Sequence, residues 1–329
     1  MSPSGQEAKL NIKLNTNYFE TPDGVRLALS EVSKNISRIN ESAGPTFLLI
    51  HGFAQNHLAY TLGNFPVALL DHGARVFIGE LRGHGLSRQN TQGKESTLLK
   101  LLEYDLPTLV RATCEQSQVD RVHFVGHSMG GILGYGLLSR SHRLASLTTL
   151  ASPIALGDGK PVLRTAAKLA GPVLKQVLPQ QVPMDRLLRR LSRVTARPPR
   201  TGLRGRMNEL WRLANPNTGD HSNIQQILEN ADPTSKSLLL DFIEIARGGP
   251  AVIGHVDLRE AALNSTLPIA AVVAEKDIFA GPKGVRPLSA GKGPRRILVL
   301  PRAAHIDITM GKHCTYIVEQ LWPFLTESA

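Results

Sequence analysis

Apolar residues along this chain fall into two alternating patterns. Short uninterrupted runs end in glycine or polar residues: TFLLIHGF at 46–53, ARVFIGELRGHG at 74–85, RVHFVGHS at 121–128, LASLTTLASP at 144–153, LPIAAVVAEKD at 267–277 and RRILVLP at 295–301. Runs of this length suit strands buried on both faces, the condition of a parallel sheet. Between them lie segments with apolar residues at helical spacing, about Leu58–His72, Leu98–Gln116, GGILGYGLLSR at 130–140 and a closing GKHCTYIVEQLWPFL at 311–325. Pro107 falls inside the second of these and should kink or break it. Ahead of the first buried run, TPDGVRLALSEVS at 21–33 joins an Asp-Gly turn signal to alternating apolar residues and predicts a hairpin. Strand and helix in alternation imply βαβ units and an α/β fold with a mostly parallel sheet.

The pattern changes between about Ala155 and Leu263. Strand runs vanish, and Arg, Leu and Pro become frequent at helical spacing. This predicts a mainly helical insertion that forms a lid or cap. The chain then divides into a core part at 1–154, the insertion at 155–263 and a second core part at 264–329.

Composition narrows the setting. Hydrophobic residues make up 42% of the 329 but aromatics only 5%, so the core must be largely aliphatic. No apolar stretch reaches the roughly 20 residues that span a bilayer. The opening MSPSGQEAKLNIK lacks the apolar run of a signal peptide. Both observations lead us to expect a cytoplasmic protein. Cys114 and Cys314 are the only cysteines, too few for a disulfide framework and without metal-type spacing, so two unpaired thiols are expected.

The formal charge is +11, and much of it sits in the insertion, at Arg186, Arg189, Arg190, Arg193, Arg197, Arg200, Arg204, Arg206 and Arg212, with chiefly Asp185 and Glu209 against them. A solvated helix face accounts for such a run, with Leu187, Leu188 and Leu191 packed inward. The sharper reading is contact with an anionic surface or an acidic carrier-protein arm. Zinc-finger spacing, an aromatic ribonucleoprotein motif and a basic tail are all missing, which argues against nucleic acid.

The chemistry is concentrated at Gly126-His127-Ser128-Met129-Gly130, a G-x-S-x-G pattern at a strand-to-helix junction. A tight turn there holds Ser128 in a strained conformation with its hydroxyl exposed. The flanking glycines let strand and helix pass closely. A serine hydroxyl needs a base, and the base needs an orienting carboxylate. Asp277 follows one late strand and His305 follows the next, in the chain order Ser…Asp…His. Glu275, expected inside the strand end, and Asp307, expected in a loop or cap, are weaker carboxylate candidates. His84, His123, His127 and His313 lack the chain order and loop position of His305. An oxyanion hole would draw on the Met129 amide and on Phe53 N–H, in the turn made by His51-Gly52.

These residues resemble the α/β-hydrolase superfamily. The likeness rests on His51-Gly52-Phe53, ELRGHGLS at 80–87, GHSMGG at 126–131, Asp277 and His305, and covers roughly residues 20–153 and 265–325. RGHGLS is similar to an R-G-x-G-x-S loop of many members, a structural turn beside the site; Glu80 stands where the family often has Asp. The resemblance implies a mostly parallel eight-stranded sheet flanked by helices, with a helical lid inserted after the sixth strand. It implies no metal or organic cofactor. Members with an aspartate nucleophile hydrolyse haloalkanes or epoxides and those with cysteine polymerise esters, so Ser128 leaves acyl transfer to water. Carbon–carbon bond hydrolases and cofactor-free haloperoxidases share the triad and stay open. The expected activity is hydrolysis of a carboxylic ester or related small acyl compound through an acyl-enzyme. The alternatives are a thioesterase or acyl transferase acting on carrier-bound acyl groups, or a non-catalytic binding protein on the same scaffold.

Overall fold

The buried apolar runs become strands of one sheet. The computed structural model describes residues 12–34, 44–91, 94–155, 161–195, 221–248, 251–277, 279–310 and 313–327. Its strands are β1 (Ile12–Glu20), β2 (Arg26–Lys34), β3 (Thr46–Ile50), β4 (Arg75–Gly79), β5 (Val122–His127), β6 (Leu144–Leu150), β7 (Ile269–Ala274) and β8 (Arg295–Leu300). They are ordered β1-β2-β4-β3-β5-β6-β7-β8. β1 and β2 form the hairpin expected at Asp23-Gly24, and β2 pairs antiparallel with β4. Every further pairing in this eight-stranded sheet is parallel.

Alternation along each strand feeds two apolar layers. Leu48, Ile50, Phe77 and Phe124 face one, and Phe47, Leu49, Val76, Ile78 and Val125 face the other. This two-sided burial explains why the middle of these strands is apolar apart from His123. The layers are completed by α1 (Phe65–Asp71), α2 (Leu106–Ser117), α3 (Met129–Leu137) and the closing α8 (His313–Glu327).

Two helical expectations change in detail. The Leu58–His72 segment splits into a single turn at Leu58–Thr61 and α1. Gly63 lies at the split, where an added β-carbon would sit 2.1 Å from the Thr309 carbonyl oxygen. Pro66 then sits in the first turn of α1, where its missing N–H costs nothing. Pro107 does not break its helix. A π-helical turn at Leu101–Asp105 precedes it, and Pro107 occupies the first turn of α2. A wider turn there accommodates a ring that would clash with the carbonyl four residues back in a regular helix.

The chain leaves the sheet after β6 and returns at β7. The described residues between are mainly helical: α4 (Pro161–Val177), α5 (Met184–Thr195), α6 (His221–Glu229) and α7 (Lys236–Ala246) are the longer segments. Arg186, Arg189 and Arg190 are exposed on α5. Arg197, Arg200, Arg204, Arg206, Glu209 and Arg212 lie outside the described residues, as does the Arg193 side chain.

The loop after β4 is fixed by a buried guanidinium. Arg82 is fully buried; its Nε donates to Asp105 at 2.8 Å, and its Nη atoms reach Asp23 at 2.6 and 2.9 Å. The Arg82 hydrogen bond holds the Asp23 carboxyl down at about 2. One side chain thus ties the hairpin turn, the loop and the start of α2 together. Arg82→Ala would leave Asp105 buried and uncompensated. It is expected to destabilise the fold by about 3–5 kcal/mol in urea unfolding; a loss below about 1 kcal/mol would contradict this role.

Candidate active site

β5 runs into α3 with a single residue, Ser128, between them, and its backbone is at φ 50°, ψ −111°. Such a conformation costs a non-glycine residue about 1–3 kcal/mol and persists only where its surroundings enforce it. The enforcement is steric and bonded. A β-carbon on Gly126 would lie 2.4 Å from the Gly130 carbonyl carbon, and one on Gly130 would lie 2.5 Å from the Ile50 oxygen. Ser128 N–H donates to the Leu150 carbonyl at 2.8 Å. Ala54 and Ala151 also have positive φ, at 55° and 52°, and line the same cavity as Ser128.

Asp277 follows β7 and His305 follows β8, and the two side chains meet. His305 Nδ1–H donates to Asp277 Oδ2 at 2.7 Å, while Oδ1 accepts the amides of Phe279 and Ala280 at 2.7 and 2.9 Å. Burial pushes the Asp277 carboxyl up, but the His305 ring and these hydrogen bonds outweigh it and hold it below the usual carboxylate range. With the Nδ1 proton spent on the carboxylate, Nε2 is left as the basic nitrogen. The Phe279 ring stands edge-on to the imidazole, with centroids 5.3 Å apart. Ser128 and His305 line one cavity. Among the described residues, no hydrogen bond joins them.

Met129 opens α3, so its amide belongs to the first turn, where N–H groups lack intrahelical acceptors. The loop after β3 passes beside the serine: a β-carbon on Gly52 would lie 3.1 Å from the Ser128 β-carbon. Phe53 lines the cavity and packs edge-on against Phe242, centroids 5.3 Å apart.

The competing candidates are engaged elsewhere. Glu275, expected inside the strand end, lies in an exposed turn just beyond β7, and its carboxylate accepts the Arg302 amide at 2.8 Å. Asp307 accepts the Ala304 amide and opens a short helix. His123 is a core residue, 2.8 Å from the Ser146 hydroxyl and stacked on Phe47. His127 is fully buried, with Nδ1 2.8 Å from Gln55 Oε1 and Nε2 3.2 Å from the His305 carbonyl. Burial, and next the His305 charge, push it down to about 3.

The cavity measures about 460 Å³. Its walls are apolar, including Ile132, Leu174, Met184, Leu188, Phe242 and Ile243, and its polar lining is Gln55, His127, Ser128 and His305. Gln55 is a site residue that sequence reasoning missed. Its Oε1 accepts Gly52 N–H at 3.0 Å, which fixes the loop beside Ser128. A glutamine five residues past a strand carries no pattern to mark it. The cavity walls from α4, α5 and α7 were likewise invisible, since helical spacing does not say what an apolar face covers.

The chain was compared with known proteins. A model of the alpha/beta hydrolase fold family matches residues 45–320. The chain belongs to that family. Among curated relatives, this α/β hydrolase is 29% identical over 140 residues to a probable lipase of Schizosaccharomyces pombe, an alignment covering 38% of this chain and 30% of the relative. It is 28% identical over 167 residues to gastric triacylglycerol lipase of Rattus norvegicus, covering 44% of this chain and 42% of the relative. The chain thus spans less than half the length of these relatives. Among solved structures, the enol-lactonase of Burkholderia xenovorans LB400 superposes with a TM-score of 0.59 at 19% identity, covering 94% of this chain and 100% of that one. A thermophilic esterase of Thermogutta terrifontis gives 0.59 at 16% identity, covering 95% and 99%. At these identities the likeness shows the fold alone. None of the described helices is long and apolar enough to cross a membrane.

Proposed function

We propose that this α/β hydrolase cleaves carboxylic esters with an uncharged, apolar acyl group through an acyl-enzyme on Ser128. The observation that carries the reading is the Asp277–His305 hydrogen bond on a cavity that also displays Ser128 at a strained strand-to-helix turn. His305 Nε2 takes the serine proton as Oγ attacks the carbonyl carbon, and Asp277 stabilises the imidazolium that forms. The Met129 and Phe53 amides supply the oxyanion donors. His305 then returns the proton to the leaving alcohol, and water releases the acid by the reverse exchange. Ser128 and His305 draw into hydrogen-bonding distance when substrate fills the cavity, as catalytic contacts often do. α4 to α7 act as the lid whose apolar faces hold the acyl chain.

A fluorophosphonate probe should label the protein at Ser128, and Ser128→Ala should abolish labelling. A folded wild-type protein that stays unlabelled would favour a binding module instead. The apolar walls set the chain-length dependence. Each buried methylene is worth about 0.8 kcal/mol, so kcat/KM on p-nitrophenyl esters should rise about fourfold per added methylene until the cavity is full. A flat series from acetate to octanoate would contradict the assignment of this cavity to the acyl group.

One observation favours a second reading, a thioesterase acting on carrier-bound acyl groups. Met184 and Leu188 of α5 line the cavity while Arg186, Arg189 and Arg190 of the same helix are exposed, which would offer an acidic carrier a basic face beside the entrance. Carrier-linked thioesters preferred over free thioesters, with the preference lost in Arg189→Ala/Arg190→Ala, would support it.

A further inference from the structure

Gly52, Gln55 and His127 form one tight cluster beside Ser128. The Gln55 main-chain N–H donates to the Gly52 carbonyl at 3.3 Å, and its side-chain Oε1 accepts Gly52 N–H at 3.0 Å. One residue thus holds both polar groups of Gly52. The clamp fills the space around that glycine: an added β-carbon would lie 2.6 Å from Gln55 Oε1 and 3.0 Å from His127 Nδ1. No L side chain fits there, so close approach demands glycine.

The clamp also reaches the strand that carries the nucleophile. His127 is the last residue of β5 and the chain neighbour of Ser128, and its Nδ1 lies 2.8 Å from the same Gln55 oxygen. Its Nε2 is 3.2 Å from the His305 carbonyl, the longer of the two contacts, so a ring with one proton carries it on Nδ1. Gln55 Oε1 then accepts two N–H groups, one from the loop after β3 and one from the end of β5. Both lone pairs of the oxygen are used, which fixes the carboxamide.

Through Gly52 the clamp sets the plane of the next peptide. The Gly52 carbonyl accepts the Gln55 amide and lies 2.9 Å from His51 Nδ1. A trans peptide points the following N–H the opposite way, so Phe53 N–H is turned out of the loop. Among the described residues that N–H makes no hydrogen bond, and Phe53 lines the cavity with Ser128. The loop has other anchors. Asp232 N–H donates to the Ala54 carbonyl at 3.0 Å, and Asn56 Nδ2 donates to the Asn230 carbonyl at 3.0 Å and to Asp232 Oδ2 at 2.9 Å. Loss of the Gln55 carboxamide would leave these in place and free the Gly52–Phe53 peptide to turn.

We propose that Gln55 is the positioning residue of the oxyanion hole. Its carboxamide registers the Gly52–Phe53 peptide against the strand that carries Ser128, so that Phe53 N–H meets the developing oxyanion. It acts through the main chain and not on the substrate. The inference rests on the acyl-enzyme reading above. An oxyanion forms in both acylation and deacylation, whereas the acyl chain is held by the apolar walls. A displaced donor therefore lowers kcat and leaves KM nearly unchanged.

Two variants of the full chain test this. Gln55→Met keeps the length of the side chain without its acceptor, and Gln55→Asn keeps the amide but draws it back by one methylene. Each should lower kcat on p-nitrophenyl octanoate about thirtyfold to a hundredfold, the scale of a group displaced by about 1 Å, with KM within about threefold of the wild type. An octyl trifluoromethyl ketone separates positioning from packing. Ser128 Oγ adds to its carbonyl carbon, the serine proton passes to His305, and the carbonyl oxygen becomes an oxyanion. Its Ki should rise by about the same factor as kcat falls, while the Ki of octyl methyl ketone, which binds unattacked, stays constant. If one variant does not fold, the other carries the test. A folded variant that keeps more than about a third of the wild-type kcat, or that weakens both ketones equally, would overturn the proposal. A wild type that neither turns over esters nor takes the fluorophosphonate label would instead remove the acyl-enzyme reading, and this inference with it.

Discussion

Ser128→Ala is expected to lower turnover of an apolar ester by roughly ten-thousandfold to a millionfold, the scale of nucleophile loss in serine hydrolases. Its melting temperature should not fall, because alanine meets the same positive φ and leaves no buried group without a partner. His305→Ala should cost about as much. The two losses should not add, since either change disables the same proton transfer. Asp277→Asn tests the geometry more finely. An amide can present its NH2 to His305 Nδ1 and drive the ring into the tautomer with its proton on Nε2, where it can no longer act as a base. A loss of about ten-thousandfold is expected. If Asp277→Asn retains more than a tenth of the wild-type rate in stopped-flow or steady-state assays, the Asp277–His305 hydrogen bond is structural and the proposed mechanism fails.

Acid should unfold this protein from an unusually high pH. His51 and His127 are pushed down to about 3 and His123 to about 4, each chiefly by burial, and burial also lowers His84. Burial makes these imidazoles harder to protonate in the fold than in the unfolded chain, where they titrate near the ordinary 6.5. Their contribution to stability is complete above pH 6.5. Below it the unfolded chain binds protons that the fold cannot, and stability falls until the folded values are reached. Each histidine contributes up to about 1.4 kcal/mol per pH unit, so the three held near 3 to 4 give roughly 4 kcal/mol per unit, opposed below about pH 6 by one proton's worth from Asp105, which burial raises to about 6. Asp277 adds a smaller loss at lower pH: its folded value is depressed, so its contribution is present above 3.8 and disappears as the pH drops through the folded value. Urea midpoints measured from pH 8 to pH 4 check this. His123→Gln, which can keep a hydrogen bond to Ser146, should flatten the slope by about one proton. A midpoint constant between pH 7 and pH 5 would show that these rings are protonated in the fold.

Burial of those histidines could not be read from the chain. His123 and His127 stand in an apolar run, which suggests enclosure, but His51 and His84 border glycine-rich turns that look solvated in sequence. They are enclosed because the loops after β3 and β4 pack on each other, with the two rings 5.0 Å apart. The same limit applied to charge. Arg82 reads as one more surface arginine in a chain with 38 basic residues, yet it is buried between Asp23 and Asp105, distant in sequence.

What the chain alone settled was local. Two-sided burial gave the parallel strands, Asp23-Gly24 gave the hairpin, and Gly126 and Gly130 marked the turn at Ser128, because the steric demands of each are met within a few residues. Folding in three dimensions settled the rest: which carboxylate meets His305, which faces of α4 to α7 enclose the apolar cavity, where Leu58–His72 breaks, and how Pro107 is absorbed by a π turn. Periodicity records that a side chain is hidden from water. It does not record what hides it, because the partners are brought together by strand order and loop packing across the whole fold.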